Sequence, residues 1–236
     1  KKDEPSDKDY EFLGGKLSGE VLQPDGQWEV PIYESQNRGF EPYACVSFGL
    51  NSIIEIMHKK RYESEPNYSD RFLAKMSGTV VGGNSPRIVS DTLRKQGAVK
   101  EEEWPYITGW DEYYAEIPKN IIKLGEKWVD DFEFGYEIVS RQQVVNALQY
   151  SPIGCSVAAW FEKDGIYYKP EDVRDNHFSV IVGYKENEYW LVFDSYEKEI
   201  KKLEWDYNFE YLCRYSFVKK IAALQEKISI LIQIKM

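Results

Sequence analysis

The chain has 236 residues, of which 42% are hydrophobic and 15% aromatic, as expected for a folded globular protein. Its 40 acidic and 30 basic residues give a formal net charge of -10, which disfavours nucleic acid or an anionic membrane surface as the main partner. No run of 18 apolar residues occurs, so we expect no membrane span. The three cysteines show neither a disulfide framework nor metal-ligand spacing, which favours a reducing compartment. We expect neither a metal nor another cofactor.

The two ends of the chain differ from its middle. Residues 1–20 begin with a charged segment that has little to bury, so we expect a mobile N-terminal extension. Residues 218–236 carry apolar side chains at heptad spacing, which predicts a C-terminal helix. This helix packs on its own domain, contacts a second copy or a partner, or begins a further segment of the protein.

The stretch from Ser35 to Lys60 joins a polar loop to an amphipathic helix pattern. Apolar residues recur there at three- and four-residue steps: Val46, Leu50, Ile53, Ile54 and Met57. Cys45 then lies in the first helical turn, where unpaired backbone N–H groups and the helix dipole favour a thiolate. A cysteine nucleophile needs this setting, although many free cysteines are inert core residues.

Helix patterns dominate the first half of the chain and strand patterns the second. Helices are predicted over 67–76, 86–96 and 117–124, with a glycine-rich loop over 78–86. The second half alternates with a period of two, and predicts strands over 132–139 and 152–160, a short helix over 141–149, and a hairpin of 178–184 with 189–194. This order predicts an α+β protein of two packed lobes, with a site in the cleft between them.

Only two histidines could serve Cys45 as a base. His58 lies further along the same helix, roughly 20 Å away at 1.5 Å per residue, and cannot reach the thiol. His177 begins the first hairpin strand. If Tyr184 pairs with Tyr189, Asp194 becomes a diagonal neighbour of His177 about 7 Å away, where its carboxylate can orient the imidazole. A surface histidine beside an acid is the alternative interpretation.

Several blocks of this sequence resemble papain-like cysteine peptidases. The strand that begins Asn176-His177 and ends Gly183-Tyr184, followed by Tyr189-Trp190 and Asp194-Ser195-Tyr196, resembles the family's histidine and asparagine blocks. Further matches are Gln36 with Ala44-Cys45-Val46-Ser47-Phe48 for the glutamine and nucleophile block, Gly82-Gly83-Asn84-Ser85-Pro86 for the substrate-binding glycine loop, and Glu103-Trp104-Pro105-Tyr106. Together these blocks cover about residues 36–217 in the family's order.

The resemblance implies a papain-like fold with a helical lobe, an antiparallel β-barrel-like lobe and a cleft between them. The catalytic domain would span 21–217, with a helical lobe over about 36–128, a β lobe over about 129–217 and 21–35 as a crossing arm. Cys45 would be the nucleophile, His177 the base, and Asp194 the orienting group in place of the family's asparagine. Gln36 would donate to the oxyanion, although it lies three residues further from the cysteine than usual. The substrate-binding positions would be Gly82, Gly83, Val157, Ala158 and Asn176.

The implied activity is hydrolysis of peptide bonds in a peptide or protein substrate, through a thioester acyl-enzyme. One alternative is another Cys-His-Asp chemistry on the same scaffold: transglutaminase-like acyl transfer, deamidation or cleavage of peptidoglycan cross-peptides. The other alternative is a non-catalytic binding module that keeps the fold.

Overall fold

The computed structural model describes residues 19–196 and 200–220. Its helices are α1 (Cys45–Tyr62), α2 (Asp70–Met76), α3 (Pro86–Gln96), α4 (Trp110–Tyr113), α5 (Lys119–Asp131) and α6 (Val144–Ala147), with a 3-10 turn at Arg141–Gln143. Its strands are β1 (Phe132–Ile138), β2 (Ile153–Val157), β3 (Phe161–Lys163), β4 (Ile166–Tyr168), β5 (His177–Lys185), β6 (Tyr189–Phe193), β7 (Ile200–Glu204) and β8 (Leu212–Lys219).

The predicted terminal segments lie almost entirely outside the described residues. The described part of the chain begins at Gly19, near the end of the predicted extension. At the other end, Val218 and Lys219 belong to β8, where Val218 pairs with Glu133 and Lys219 with Phe132 of β1. The predicted helix over 218–236 therefore does not begin at residue 218, because sheet pairing continues to Lys219.

Local capping explains where the predicted helices begin. The Ser69 side chain accepts a hydrogen bond from the Phe72 N–H at the start of α2, and Ser85 accepts one from Ile88 at the start of α3. Helix α3 ends at Gly97, whose φ of 73° is favourable for glycine. Helix α5 runs further than predicted, to Asp131, because Trp128 extends its buried face.

The described strands form one sheet in the order β1-β8-β2-β5-β6-β7-β4-β3. All neighbouring pairs are antiparallel except β4 with β7. Strand β5 lies near the middle and is buried from His177 to Gly183. The order of helices before strands confirms the predicted α+β class.

Helix α1 packs directly on β5 because a glycine faces the sheet at their contact. A Cβ atom built on Gly49 would come within 2.6 Å of the Phe178 ring and 3.4 Å of Val180. The same ring is equally close to a Cβ built on Gly154 of β2. Phe178 follows His177, so this tight contact brings the helix that begins at Cys45 against the strand that begins at His177.

Within the described residues, no helix combines the length and apolar character needed to cross a membrane.

Candidate active site

Cys45 is the first residue of α1, as the sequence predicts. Its N-cap residue, Ala44, provides no side-chain hydrogen bond, and no acidic residue occupies the first turn. The dipole at this end of an 18-residue helix therefore favours an anion at the thiol position. Cys45 is partly exposed, whereas Cys155 and Cys213 are fully buried. Burial raises the pKa of both interior thiols, which leaves Cys45 as the reactive candidate.

Hairpin β5–β6 brings His177 and Asp194 together, although its register at the turn differs from the prediction. Tyr184 pairs with Trp190 rather than with Tyr189. A β-bulge between Ile181 and Gly183 then shifts the pairing by one residue, so the register nearer the site is the predicted one. The predicted diagonal contact of His177 with Asp194 therefore forms.

The imidazole of His177 joins the acid to the thiol. Its Nε2 lies 2.6 Å from Asp194 Oδ1, which leaves Nδ1 for the Cys45 side. Cys45 interacts electrostatically with this ring, and the two residues line the same cavity. Burial lowers the pKa of His177, but the charge and hydrogen bond of Asp194, followed by those of Cys45, raise it to about 10. The imidazolium form of His177 is therefore favoured at neutral pH.

The Asp194 carboxylate is 2% exposed and has partners on both oxygens. Oδ1 also accepts from Ser179 Oγ at 2.7 Å, and Oδ2 accepts from Lys201 Nζ at 2.7 Å and from the Tyr196 N–H at 3.3 Å. Burial raises the pKa of Asp194, but His177 and Lys201 lower it by more, so the carboxylate stays ionised.

Sequence reasoning missed both Ser179 and Lys201. Ser179 lies two residues after His177 in β5, so alternation along the strand places it on the same face. This period was available in the sequence. The inward position of Lys201 follows from the β6–β7 pairing, in which it lies opposite Val192. Nothing local to its sequence indicates burial.

Two aromatic rings contact the imidazole edge-on. The Tyr196 ring centroid lies 5.0 Å from that of His177, and the Trp160 centroid lies 5.8 Å away. Such rings limit the access of water and strengthen the electrostatic interactions of His177.

Gln36 lies next to Tyr196, and its amide has partners other than the Cys45 region. It is 1% exposed, and its Nε2 donates to Glu41 Oε1 at 3.0 Å and to Tyr196 Oη at 2.8 Å. Its Oε1 accepts from Ser195 Oγ at 2.8 Å. Tyr196 Oη in turn donates to Glu41 Oε2. Since an amide has only two N–H bonds, one of these contacts must open before Gln36 can donate to an oxyanion beside Cys45.

A cavity of about 450 Å³ opens beside Cys45 and His177. Three of the predicted substrate-binding residues line it: Gly82, Gly83 and Asn176. The other two, Val157 and Ala158, are buried, and Ser156 is the β2 residue that lines the cavity instead. The reason is strand alternation, because Val157 points into the core while its neighbour points out of it.

Charged side chains form one part of the cavity lining. Arg174, Asp175 and Glu210 all contribute. Lys169 Nζ lies behind them, 2.7 Å from Asp175 Oδ1 and 3.1 Å from Glu210 Oε1. The lining of the cavity therefore combines apolar surface with paired charges.

No protein-family model matches the chain, and no curated protein sequence matches it. Solved structures do match. The Clostridial cysteine protease Cwp84 after propeptide cleavage aligns with TM-score 0.64 and 19% identity, over 80% of this chain and 56% of that one. The digestive procathepsin L 3 of Tenebrio molitor larval midgut aligns with TM-score 0.59 and 14% identity, over 80% and 67%. The bromelain protease of Ananas comosus, in complex with an inhibitor, aligns with TM-score 0.59 and 17% identity, over 79% and 94%.

These matches show that the fold is papain-like, as the sequence resemblance implies. The chain is a divergent example, since identity stays between 14% and 19%. It spans just over half the length of Cwp84.

Proposed function

We propose that this protein is a cysteine peptidase whose nucleophile is Cys45. The observation that carries the proposal is the position of His177, whose Nε2 lies 2.6 Å from Asp194 Oδ1 and whose ring lines the same cavity as the Cys45 thiol. A base that contacts both a nucleophile and an orienting acid is the arrangement that nucleophilic catalysis requires.

In the reaction, the Cys45 thiolate attacks a peptide carbonyl carbon, and the carbonyl oxygen becomes an oxyanion. The His177 imidazolium gives its proton to the leaving nitrogen, the C–N bond breaks, and a thioester to Cys45 remains with the release of an amine. Neutral His177 then takes a proton from water, whose oxygen attacks the thioester. The Cys45 thiolate leaves, and the product is a carboxylic acid.

The oxyanion requires donors close to the thiol. The backbone N–H of Cys45 at the start of α1 is one, and the Gln36 amide is the second when it leaves Glu41 or Tyr196. A single donor of this kind contributes about 3 kcal/mol to transition-state stabilisation.

The cavity is the binding site for a side chain of the peptide. Gly82 and Gly83 lack side chains that would narrow it, and both have positive φ, of 87° and 89°. Asn176, whose Oδ1 accepts from the Ala159 N–H at 2.9 Å, lies on the His177 side.

The test compares reactivity and hydrolysis on one preparation. We expect iodoacetamide to label Cys45 well ahead of Cys155 and Cys213 at pH 7, and the labelled protein to lose hydrolysis of a mixed fluorogenic peptide library. Cys45→Ala abolishes the same hydrolysis, whereas Cys155→Ala, a matched removal of a buried thiol, retains it. Equal labelling of the three thiols, or hydrolysis that survives Cys45→Ala, contradicts the proposal.

Acyl transfer to an amine is the second candidate, and the acid at position 194 favours it because Cys-His-Asp sets occur in such enzymes. It shares the acylation step and differs in the acceptor of the acyl group. Mass spectrometry of products made in the presence of a primary amine separates the two. New N-termini with free acids indicate a peptidase, and an amide of the added amine indicates transfer.

A further inference from the structure

Lys201 is a buried cation directly behind the candidate triad. It is 1% exposed, and its Nζ lies 2.7 Å from Asp194 Oδ2 and 2.6 Å from the Tyr196 carbonyl oxygen. The Nζ also lies 4.8 Å from the centroid of the Trp160 ring. A buried ammonium is costly unless charges and acceptors surround it, and these groups meet that need.

The position of Lys201 follows from the sheet and not from a mobile loop. In β7 it alternates with the exposed Lys202, and it pairs with Val192 of β6, two residues before Asp194. Strand pairing therefore aims the ammonium at the carboxylate, so the contact persists without substrate.

The two oxygens of the Asp194 carboxylate have different partners. Oδ1 bonds to His177 and Ser179, and Oδ2 accepts hydrogen bonds from Lys201 and the Tyr196 N–H. With both oxygens occupied, the carboxylate cannot rotate without breaking a charged contact. The contact of Oδ2 with Lys201 therefore fixes the orientation of the carboxylate toward His177.

Lys201 also supplies a positive charge that balances the net charge of the site. A thiolate and an imidazolium are neutral together, so an ionised Asp194 beside them leaves one buried negative charge. Lys201 cancels it. Other titratable groups lie close by: Cys155 of β2, Tyr167 of β4, and Glu41, which reaches the site through Tyr196. None of these three supplies a cation.

We propose that Lys201 is a positioning residue, whose buried ammonium both orients the Asp194 carboxylate and balances its charge so that the Cys45–His177 ion pair forms in a neutral site. The proposal rests on the proposed function only in taking Cys45 and His177 as the reacting pair. Asp194 and Lys201 then act as one unit, and removal of either alone unbalances the site.

The test measures the rate of Cys45 alkylation by iodoacetamide from pH 3 to pH 11, with the label located by peptide mapping. Loss of a nearby positive charge favours protonation, so Lys201→Met moves both the acid and the alkaline midpoints upward by about one pH unit. Asp194→Asn removes the negative charge and moves both midpoints downward. In the double variant the two shifts cancel, and its midpoints return to within a few tenths of a unit of the wild type. The matched control is Lys202→Met, which removes an exposed lysine from the same strand and leaves both midpoints unchanged.

Several outcomes overturn the proposal: unchanged midpoints in Lys201→Met, a shift of the same size in Lys202→Met, or a double variant that shifts further than both single variants. If Lys201→Met does not fold alone, a folded double variant supports the proposal, and failure of both overturns it. Alkylation needs no substrate, so a protein that alkylates as expected but hydrolyses no peptide refutes the proposed function and leaves the role of Lys201 intact.

Discussion

The two sides of the cleft hold their polar groups by different means. On the sheet side, His177, Asp194 and Lys201 lie on or next to paired strands, and charge-assisted contacts of 2.6 and 2.7 Å join them. On the loop side, Gln36 precedes α1 and is held by individual hydrogen bonds, from its Nε2 to Glu41 and Tyr196 and from its backbone N–H to the Ser195 carbonyl oxygen. Backbone pairing positions the first set, and single hydrogen bonds position the second.

Under the proposed mechanism, this difference would give each side a separate task. The charges of the sheet side would hold the proton on His177, whose pKa they raise. The loop side would stabilise the oxyanion through the Gln36 amide. Substitutions on the two sides should therefore produce different kinetic and pH signatures.

The largest loss of activity is expected when His177 is removed from the sheet side. His177→Ala leaves Cys45 without a proton acceptor, and we expect kcat/KM for a peptide substrate to fall about 10⁴-fold. The measurement is initial rates on a fluorogenic peptide, with thermal melting to confirm folding. His58→Gln is the matched control, because that half-buried histidine contacts Tyr62 and Phe217 and not the cleft. Comparable losses in both variants would contradict the assignment of His177.

A smaller loss is expected on the loop side. Gln36→Ala removes an oxyanion donor and should lower kcat by about 10²-fold with little change in KM, since the donor acts mainly in the transition state. The pH midpoints of Cys45 alkylation should stay in place, in contrast to substitutions of Asp194 or Lys201. Gln27→Ala serves as the control, because that glutamine bonds to the Tyr184 carbonyl oxygen at 2.9 Å. A Gln36→Ala enzyme with unchanged kcat would remove Gln36 from the reaction.

The smallest expected effect concerns stability, and it tests the sheet side without substrate. The folded pKa of His177 is raised to about 10, from about 6.5 in an unfolded chain, so its proton stabilises the fold fully below pH 6.5. This contribution, a few kcal/mol, is lost as the pH rises through about 10. The Asp194 pKa is lowered, so that carboxylate stabilises the fold above about pH 4 and loses its contribution as the pH falls further.

Urea denaturation at pH 6, 8 and 10 measures the alkaline loss. Because lysines and tyrosines also titrate near pH 10, the informative quantity is the difference between the wild type and His177→Gln. That difference should shrink as the pH rises. A constant difference across the range would mean that His177 is not protonated in the folded protein at neutral pH.

The sequence predicted the placement of Cys45, His177 and Asp194 better than it predicted the contacts around them. Helix periodicity placed Cys45 at the start of α1, and Asp194 reached its predicted neighbour although the assumed pair, Tyr184 with Tyr189, is wrong by one residue. The β-bulge after Ile181 shifts the pairing by one residue, so that the predicted register holds from Ile181 toward Val180. A bulge depends on contacts across strands, so it leaves no simple periodic signal.

Several side-chain positions depend on contacts between distant parts of the chain. Val157 points inward and Ser156 outward because of where β2 joins the sheet, and a one-residue uncertainty reverses that choice. Lys201 resembles any strand lysine until β6 and β7 are paired. The occupied amide of Gln36 depends on Glu41, which belongs to a loop without periodicity.

Gly49 allows α1 to pack closely on β5 beneath the candidate site. With no side chain to hold them apart, α1 and the Phe178 ring touch in the interior, one turn along the helix from Cys45 and one residue from His177. The relative position of the Cys45 and His177 backbones therefore depends on a packing contact in the core. Under the proposed function, substitutions at the rim of the cavity would alter the binding of a substrate without altering this contact.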